Sequence, residues 1–367
     1  MIQIQRQSAS LIKHTDPLEV VEHAARICYD SVDKMQPGGS AAFVRGLIKR
    51  GHFTPLEHAY VRIYLDQIKN PDSQVYVTGL YHFAAPGDYP LADRRLTRGA
   101  FYRGKDSKGE FVSGNLRDLV WYLGKHEDPI EFVQREGIEL DPNYAVLDLV
   151  TDRGIATELF RHRTMSYDDD GYERGYKATD VDFVPEPSIN QQSTRYVNFT
   201  RKPVYMILPE PAEWAYDLND PFYINWLAHC QKSVNLYGEM INGGATPEYA
   251  RNVLPLSLGT RVIMSGSILN WLYVLNLRLP KGAHPQVRLL GSYIWDILWK
   301  THQEYINGVL DKKALDNEWP VIDYAAEAAE IQNLAHQREG ASGSWTIITG
   351  LPARQSTQQQ DSETTKK

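Results

Sequence analysis

The feature that most constrains this chain is Arg161-His162-Arg163, which follows an apolar, helix-like stretch from Gly154 to Phe160. A guanidinium group binds phosphate or carboxylate through a planar, bidentate fork and does not deprotonate. Two such forks around an imidazole suit an extended ligand with several anionic or carbonyl groups, rather than a metal ion. The sequence therefore predicts a helix whose end forms a binding site for an anion.

A second polar segment, Gln191–Tyr196, reads Gln-Gln-Ser-Thr-Arg-Tyr and supplies amides, hydroxyls and another guanidinium. Either segment alone would be typical of a solvated surface with salt bridges. Ser193 can donate a hydrogen bond to a phosphate group, and Arg195 can neutralise its charge. No histidine base is positioned in the sequence to make Ser193 a nucleophile, so we interpret the segment as a binding loop.

The net charge of −7 argues against a nucleic-acid surface as the main function and makes the arginine motifs a local positive pocket on an acidic body. With 42% apolar residues, the chain can bury a sizeable core. It has two cysteines, Cys28 and Cys230, which is typical of a reducing compartment. No apolar run approaches the about 20 residues of a membrane span, and Met1–Ser10 lacks an apolar signal core. We expect a cytoplasmic protein without membrane or nucleic-acid partners.

Hydrophobic periodicity predicts an α+β fold, in which helices are segregated from a small antiparallel or mixed sheet. The first helix follows Thr15-Asp16-Pro17, which reads as a cap and a helix-opening proline. Further helices are expected at about 41–50, 116–123, 212–242, 246–253, 266–275, 285–307 and 318–338. Strands are expected at 61–65, where the alternation indicates half-burial, and at 144–150 and 204–208.

The two polar segments resemble the signature of flavin-dependent thymidylate synthases, in which Arg-His-Arg precedes Ser-x-Arg-Tyr. Further segments agree with that family in the same order along the chain: Ala24–Asp30, Gly51–His58, Ala250–Pro255, Leu277-Arg278 and Ala283–Arg288. The last of these, together with Val112–Arg117 and the Gln-Ser-Thr-Arg-Tyr form, is similar to a longer-chain branch. The resemblance extends over roughly residues 15 to 300.

This resemblance implies conversion of dUMP to dTMP, with methylenetetrahydrofolate as carbon donor, reduced FAD as hydride source and NADPH to reload the flavin. It also implies a homotetramer with sites shared between subunits. Two alternatives stay open. One is methylation or hydroxymethylation of another pyrimidine deoxynucleotide such as dCMP, and the other is a non-catalytic paralogue that binds a nucleotide or a protein partner.

The resemblance also implies a domain organisation. We expect a single catalytic domain over residues 1–310, with insertions at about 68–110 and 168–189. The first insertion is rich in Gly, Pro, Asp and Arg without a clear period, and it is interpreted as loops and short pieces. A helical extension over 311–354 and a disordered, polar tail over 355–367 complete the chain.

On the cofactor side, the resemblance assigns these residues to FAD: Thr54, Arg161, His162, Arg163, His284 and Gln286. His52 is implied to be catalytic, close to the flavin edge or the folate. We interpret His162 as a hydrogen-bonding wall rather than a general base. The alternative for His52 and Thr54 is a solvent-exposed residue and a simple helix cap.

On the nucleotide side, the resemblance assigns these residues: Glu158, Arg161, Gln191, Gln192, Ser193, Thr194, Arg195, Arg251 and Arg278. Arg278 is the implied catalytic cation, because a fixed positive charge against the uracil ring stabilises negative charge on N3 and O4 and makes C5 more carbanion-like. The alternatives are a surface arginine at Arg278, and at Arg251 a cation that balances a helix dipole.

Both cysteines lie inside apolar helical patterns, without a neighbouring histidine or cap to activate a thiolate. We interpret Cys28 and Cys230 as buried structural thiols, which fits a route in which the cofactor performs the difficult chemistry.

Three departures from the family pattern stand out. Residues 168–189 interrupt the signature, and we predict that they form a lid over cofactor or nucleotide, the alternative being a surface loop without a role. Ser267-Ile268-Leu269 stands where the family has Asn-x-Arg, which puts the affinity for FAD in doubt. Gln191 stands where many members have Glu, although the longer-chain branch also has Gln.

Overall fold

The computed structural model describes residues 2–83, 101–164, 187–316 and 322–341. The strands in these ranges are β1 (Ile2–Gln5), β2 (Ser8–Leu11), β3 (Tyr60–Tyr64), β4 (Tyr102–Asp106), β5 (Gly109–Asn115), β6 (Glu139–Leu140), β7 (Tyr144–Asp152), β8 (Ser188–Gln191), β9 (Val204–Ile207) and β10 (Gly259–Ser267). The helices are α1 (Pro17–Cys28), α2 (Ser40–Lys49), α3 (Pro71–Phe83), α4 (Leu116–Leu123), α5 (Pro129–Glu136), α6 (Arg153–Phe160), α7 (Pro221–Asn242), α8 (Pro247–Ala250), α9 (Ile268–Arg278), α10 (Pro285–Asp316) and α11 (Tyr324–Ala341).

The strands form three small sheets in the described part of the chain. The central sheet has the order β2-β7-β10-β8, and all of its neighbouring strands are antiparallel. A second antiparallel sheet has the order β4-β5-β3-β6, while β1 pairs in parallel with β9. The predicted α+β class is therefore confirmed, although the single predicted sheet is divided into three.

Two strands of the central sheet continue directly into helices. At the end of β7, the Asp152 carboxylate accepts a hydrogen bond from the Ile155 backbone N–H at 2.7 Å and so caps α6. At the end of β10, Ser267 and Asn270 form a reciprocal capping box that opens α9. Because β7 and β10 are antiparallel, the two helices begin at opposite ends of the sheet. The 11 residues of α9 then reach back about 16 Å toward the end of α6.

A large apolar core lies between the central sheet and helices α6, α9 and α10. Its largest fully buried side chain is Trp271 of α9, which is 0% exposed and donates its indole N–H to the Ala145 carbonyl oxygen at 3.1 Å. A second core packs α1, α2 and α4 against the other four-stranded sheet. Since Trp271 precedes Arg278 by two helical turns on nearly the same face, the core fixes the rotation of α9 about its axis.

Several predicted elements are confirmed, and others were wrong. The helices at α1, α2 and α4 lie where expected, and Gly51 follows α2 with a left-handed φ of 73°. Residues 68–110 are not only loops, because α3 and β4 occupy the described parts of that segment. The strand at 61–65 is buried along its whole length instead of half-buried, since β3 has a partner on each edge and packs in the core.

The carboxyl-terminal half also differs in detail from the prediction. The long helix expected at 212–242 begins only at Pro221, after a short 3-10 turn over Glu213–Tyr216. The helix expected at 266–275 starts at Ile268 because the preceding residues belong to β10, which was missed. The boundary predicted at residue 310 falls inside α10, and α11 packs against that helix.

Two segments with specific predictions lie mostly outside the described residues. These are the lid at 168–189, of which only Pro187, Ser188 and Ile189 are described, the last two as the start of β8, and the tail at 355–367. Among the helices of the described ranges, none combines the length and apolar character needed to cross a membrane.

Candidate functional site

The ends of α6 and α9 meet around the Arg278 guanidinium. Its Nε donates to His162 Nε2 at 2.8 Å, its Nη1 donates to Glu158 Oε2 at 3.1 Å, and its Nη2 donates to the Glu158 carbonyl oxygen at 3.0 Å. The Arg278 side chain is only 17% exposed. Arg278 is therefore not a solvated surface arginine, and it lies beside two other residues predicted for the site.

His162 is held as a neutral hydrogen-bond donor. The ring is 1% exposed, and burial together with the Arg278 and Arg161 charges lowers its pKa to about 3. Because Nε2 accepts from Arg278, the single proton of the neutral ring lies on Nδ1. Within the described part of the chain, this buried Nδ1 has no hydrogen-bond partner. His162 thus presents an N–H group for a ligand and cannot act as a base at neutral pH.

The loop at Gln191–Tyr196 is shaped by its own backbone and by two neighbouring elements. The Gln192 and Ser193 backbone N–H groups donate to the carbonyl oxygens of Arg261 and Cys28, both at 2.9 Å. The Ser193 hydroxyl oxygen accepts from the Arg195 N–H at 3.1 Å, which closes a tight turn. This turn leaves the hydroxyl proton of Ser193 available as a donor.

Three arginines contact this loop or extend from it. Arg251 Nη1 donates to the buried Thr194 hydroxyl at 3.3 Å, so the guanidinium reaches the loop although Arg251 also caps α8. Arg195 is exposed and pairs with Glu248 at 2.8 Å. Arg153 Nη2 donates to Gln191 Oε1 at 3.2 Å. Three guanidinium groups therefore lie on or beside the loop, and one of them, that of Arg195, is paired with a carboxylate.

The structure places His52 and Thr54 away from any helix-capping role. His52 is exposed and lines a cavity of about 360 Å³ between α1 and α2, next to Arg26 and Tyr29. Thr54 begins a 3-10 turn, and its side chain makes no capping hydrogen bond there. The Tyr29 ring lies 5.4 Å from that of Tyr196, so the cavity adjoins the binding loop.

His284 and Gln286 lie at the start of α10, below the first turn of α6. The Gln286 side chain is buried, and its Nε2 donates to Asp152 Oδ2 at 2.8 Å. The Gln286 backbone N–H donates to His284 Nδ1 at 3.2 Å, and the His284 side chain is exposed. Gln286 thereby fixes the carboxylate that caps α6.

Of the remaining predicted residues, Arg161 is exposed, and the Arg163 side chain lies outside the described residues.

The fit to a flavin is uneven. The buried His162 N–H and the exposed Thr54 and Arg161 are suitable donors for flavin carbonyl or phosphate oxygens. Ser267 and Leu269 are not, because the Ser267 hydroxyl is used in the capping box and Leu269 is buried in the core. The described residues can hold the cofactor, but without two of the contacts that the family resemblance led us to expect.

Sequence reasoning missed Arg153 and the Asp152–Gln286 contact. The available signal was local, since an aspartate that can cap a helix is followed by an arginine at the first turn of an apolar helix. Their importance depends on strand pairing, which brings Gln191 and Leu256 beside the start of α6.

Neither cysteine has an activated thiol, although only Cys230 is buried as predicted and Cys28 is half-buried. Burial raises the pKa of the Cys28 thiol to about 11 and also raises that of Cys230, whose Sγ lies 3.4 Å from the Ser257 hydroxyl. We therefore expect the Cys28→Ala, Cys230→Ala double variant to retain most of its turnover. Steady-state assays at equal folded concentration test this, and a loss above about 100-fold in kcat with unchanged thermal stability would contradict it.

Fold and site together define an α+β protein in which arginine side chains converge on one loop from several elements. A sequence profile of the family described as thymidylate synthase complementing protein matches residues 10–70 and 140–302. The chain belongs to this family, and the resemblance seen in the sequence is confirmed. The unmatched residues 71–139 contain α3, β4, β5, α4, α5 and the first residue of β6.

Individual relatives carry the name flavin-dependent thymidylate synthase. A probable member from Paramecium bursaria Chlorella virus 1 is 29% identical over 142 residues, covering 38% of this chain and 59% of the relative. The protein from Synechocystis sp. is 25% identical over 150 residues, covering 39% and 60%. That from Pyrococcus furiosus is 28% identical over 119 residues, covering 32% and 44%. The chain thus spans about three fifths or less of the length of these relatives.

Proposed function

We propose that the protein is a flavin-dependent thymidylate synthase. It converts dUMP to dTMP with methylenetetrahydrofolate as carbon donor and reduced FAD as hydride source, and NADPH reloads the flavin. The observation that carries this proposal is the Arg278 guanidinium, which Glu158 and His162 hold in one orientation. Family membership and the names of the relatives support the same reaction.

In this proposal, Arg278 activates the uracil ring. Three of its five N–H donors are used by the described contacts, so two remain for ring oxygen or nitrogen atoms. A cation fixed in advance stabilises the negative charge that develops on N3 and O4 as C5 becomes nucleophilic. Glu158 neutralises part of the charge of Arg278 and keeps the guanidinium from turning away.

The loop at Gln191–Tyr196 binds the nucleotide phosphate. Ser193 donates through its hydroxyl, and Arg195 on the loop and Arg251 next to it supply positive charge. We do not assign addition to the ring to a cysteine, because burial raises the pKa of both thiols, and in this proposal the chain itself supplies binding, orientation and charge.

FAD contributes the hydride when it is bound. Thr54 and Arg161 are the proposed donors to the cofactor, and the His162 Nδ1–H would donate to a carbonyl oxygen of its ring system. The His284 imidazole is a further proposed contact, while Gln286 acts through Asp152 on the start of α6. His52 forms the wall of the neighbouring cavity and is proposed to face the flavin edge or the folate.

We prefer a uracil over a cytosine nucleotide because of Glu158. A carboxylate that accepts from a cytosine amino group would favour dCMP, but this carboxylate is already paired with Arg278 at 3.1 Å. A cytosine amino group would therefore meet a carboxylate whose charge Arg278 already neutralises in part, which weakens that contact.

We further propose a cytoplasmic homotetramer with sites shared between subunits. Two large apolar side chains next to Arg251 support such an interface, because Tyr249 and Leu256 are 65% and 73% exposed. Sedimentation equilibrium tests the assembly, and the mass of a single chain would contradict it.

The test of the function combines three measurements on the purified protein. The visible spectrum reports bound flavin, and product analysis with dUMP and with dCMP identifies the base, both with methylenetetrahydrofolate and NADPH present. We expect a flavin spectrum and dTMP. A methylated or hydroxymethylated dCMP product would show that the substrate is dCMP instead of dUMP. Absence of both flavin and product would favour a nucleotide-binding paralogue without catalytic activity.

Arg195→Ala is expected to weaken dUMP binding by about 10- to 100-fold, because a charge-assisted hydrogen bond to phosphate is lost. Isothermal titration with dUMP measures the effect. Arg45→Ala is the matched control, since Arg45 is likewise exposed and paired with a carboxylate, Asp128, at 3.1 Å. Equal affinities for dUMP in the two variants would show that Arg195 does not bind the phosphate.

A further inference from the structure

Arg153 is a half-buried cation at the edge of the binding loop, outside the motifs shared with the family signature. It is the first residue of α6, and its backbone N–H donates to the Leu256 carbonyl oxygen at 3.0 Å. Its Nη2 donates to Gln191 Oε1 at 3.2 Å. The backbone of Arg153 is therefore held by the segment that carries Arg251, and its guanidinium group is held by the loop.

Arg251 contacts the same loop at Thr194, three residues after the Gln191 that Arg153 contacts. Its Nη1 donates to Thr194 Oγ1 at 3.3 Å, so one guanidinium group contacts each end of loop residues 191–194. Burial and the nearby charge of Arg251 both lower the pKa of Arg153. Within the ranges that the structure describes, neither arginine is paired with a carboxylate, which leaves two like charges close together without a counter-charge.

Such an arrangement costs free energy in the absence of an anion and favours the binding of one. A phosphate monoester carries a charge of about −1.5 to −2 at pH 7 and three acceptor oxygens, which matches two guanidinium forks. A carboxylate has one charge and two oxygens, and it would neutralise only one of the two arginines.

We propose that Arg153 and Arg251 together bind one phosphate monoester group, with Arg153 as a further specificity-determining residue of this chain. The assignment rests on the proposed function, in which the ligand is a pyrimidine nucleoside monophosphate. Arg153 then selects the phosphorylated nucleotide over the free nucleoside, in addition to Ser193 and Arg195 on the loop itself.

The experiment compares Arg153→Gln and Arg153→Lys with the wild type by isothermal titration with dUMP, deoxyuridine and inorganic phosphate. Arg153→Gln is expected to weaken dUMP and phosphate binding by about 10- to 100-fold and to leave deoxyuridine unchanged. Arg153→Lys keeps the charge without the fork, and a smaller loss of about 3- to 10-fold is expected. Arg135→Gln is the control, since Arg135 of α5 is also half-buried and is paired with Glu127.

The outcomes separate this inference from the proposed function. If dUMP is not turned over, but Arg153→Gln still weakens phosphate binding relative to the wild type, the function fails and the phosphate site stands. If Arg153→Gln binds dUMP and phosphate as the wild type does, the site is overturned. Should that variant fail to fold, wild-type affinity for both probes in Arg153→Lys overturns the site equally.

Discussion

Replacing Arg278 with alanine is expected to lower kcat by about 100- to 1000-fold, the usual cost of losing one preorganised donor to a developing charge. The dissociation constant for dUMP should change by less than about threefold, because the charge of Arg278 matters most once the ring becomes anionic. Single-turnover kinetics with reduced enzyme measure the rate, and isothermal titration measures the affinity.

Two further variants distinguish activation of the ring from a purely structural role. Arg278→Lys keeps a positive charge but cannot donate to Glu158 and His162 together, so only part of the rate should return. Glu158→Gln removes the ion pair at 3.1 Å and leaves the cation in place, so it should lower kcat less than Arg278→Ala does. A large loss of dUMP affinity in Arg278→Ala with normal turnover at saturation would assign Arg278 to binding instead.

The second large effect is expected in the core. Trp271→Ala should lower the free energy of unfolding by about 3–5 kcal/mol, since it leaves a large cavity and removes the partner of the Ala145 carbonyl oxygen. The same substitution should also lower kcat in the folded fraction, because Trp271 fixes the helix that carries Arg278. Urea denaturation followed by circular dichroism measures the stability.

Trp121→Ala is the matched control for this stability effect. Trp121 lies on α4 and is 55% exposed, whereas Trp271 is 0% exposed, so the two variants remove the same side chain from opposite environments. The control should change the free energy of unfolding by less than about 1 kcal/mol. Equal losses in the two variants would mean that burial against the central sheet is not what stabilises α9.

Elements with local signals were predictable from sequence. Asp16 and Pro17 mark the start of α1, and the bounds of α4 at Leu116–Leu123 were predicted in full. β10 was missed because it is buried over most of its length and so shows no alternation, and because Ser265-Gly266-Ser267 at its end is typical of a turn rather than a strand. Its position depends on pairing with β7 and β8, which are distant in sequence.

The same distinction applies to the candidate site. The residues Glu158, His162 and Arg278 came from motifs, and the structure brings them together across 116 to 120 positions of sequence. Arg153 had no motif, because its partners Gln191 and Leu256 meet it only after the central sheet has formed. Motifs were therefore sufficient to identify the residues proposed for the chemistry. The charges around the loop could be recognised only once the fold was known.

The absence of connecting loops between β7 and α6, and between β10 and α9, restricts where this chain can change in length. A single residue inserted at either junction would rotate the following helix by about 100° and turn Glu158 or Arg278 out of the site. Length variation must be confined to other segments. The described parts of residues 71–139, which have no family match, belong largely to the second four-stranded sheet and its helices, where additions leave both junctions intact.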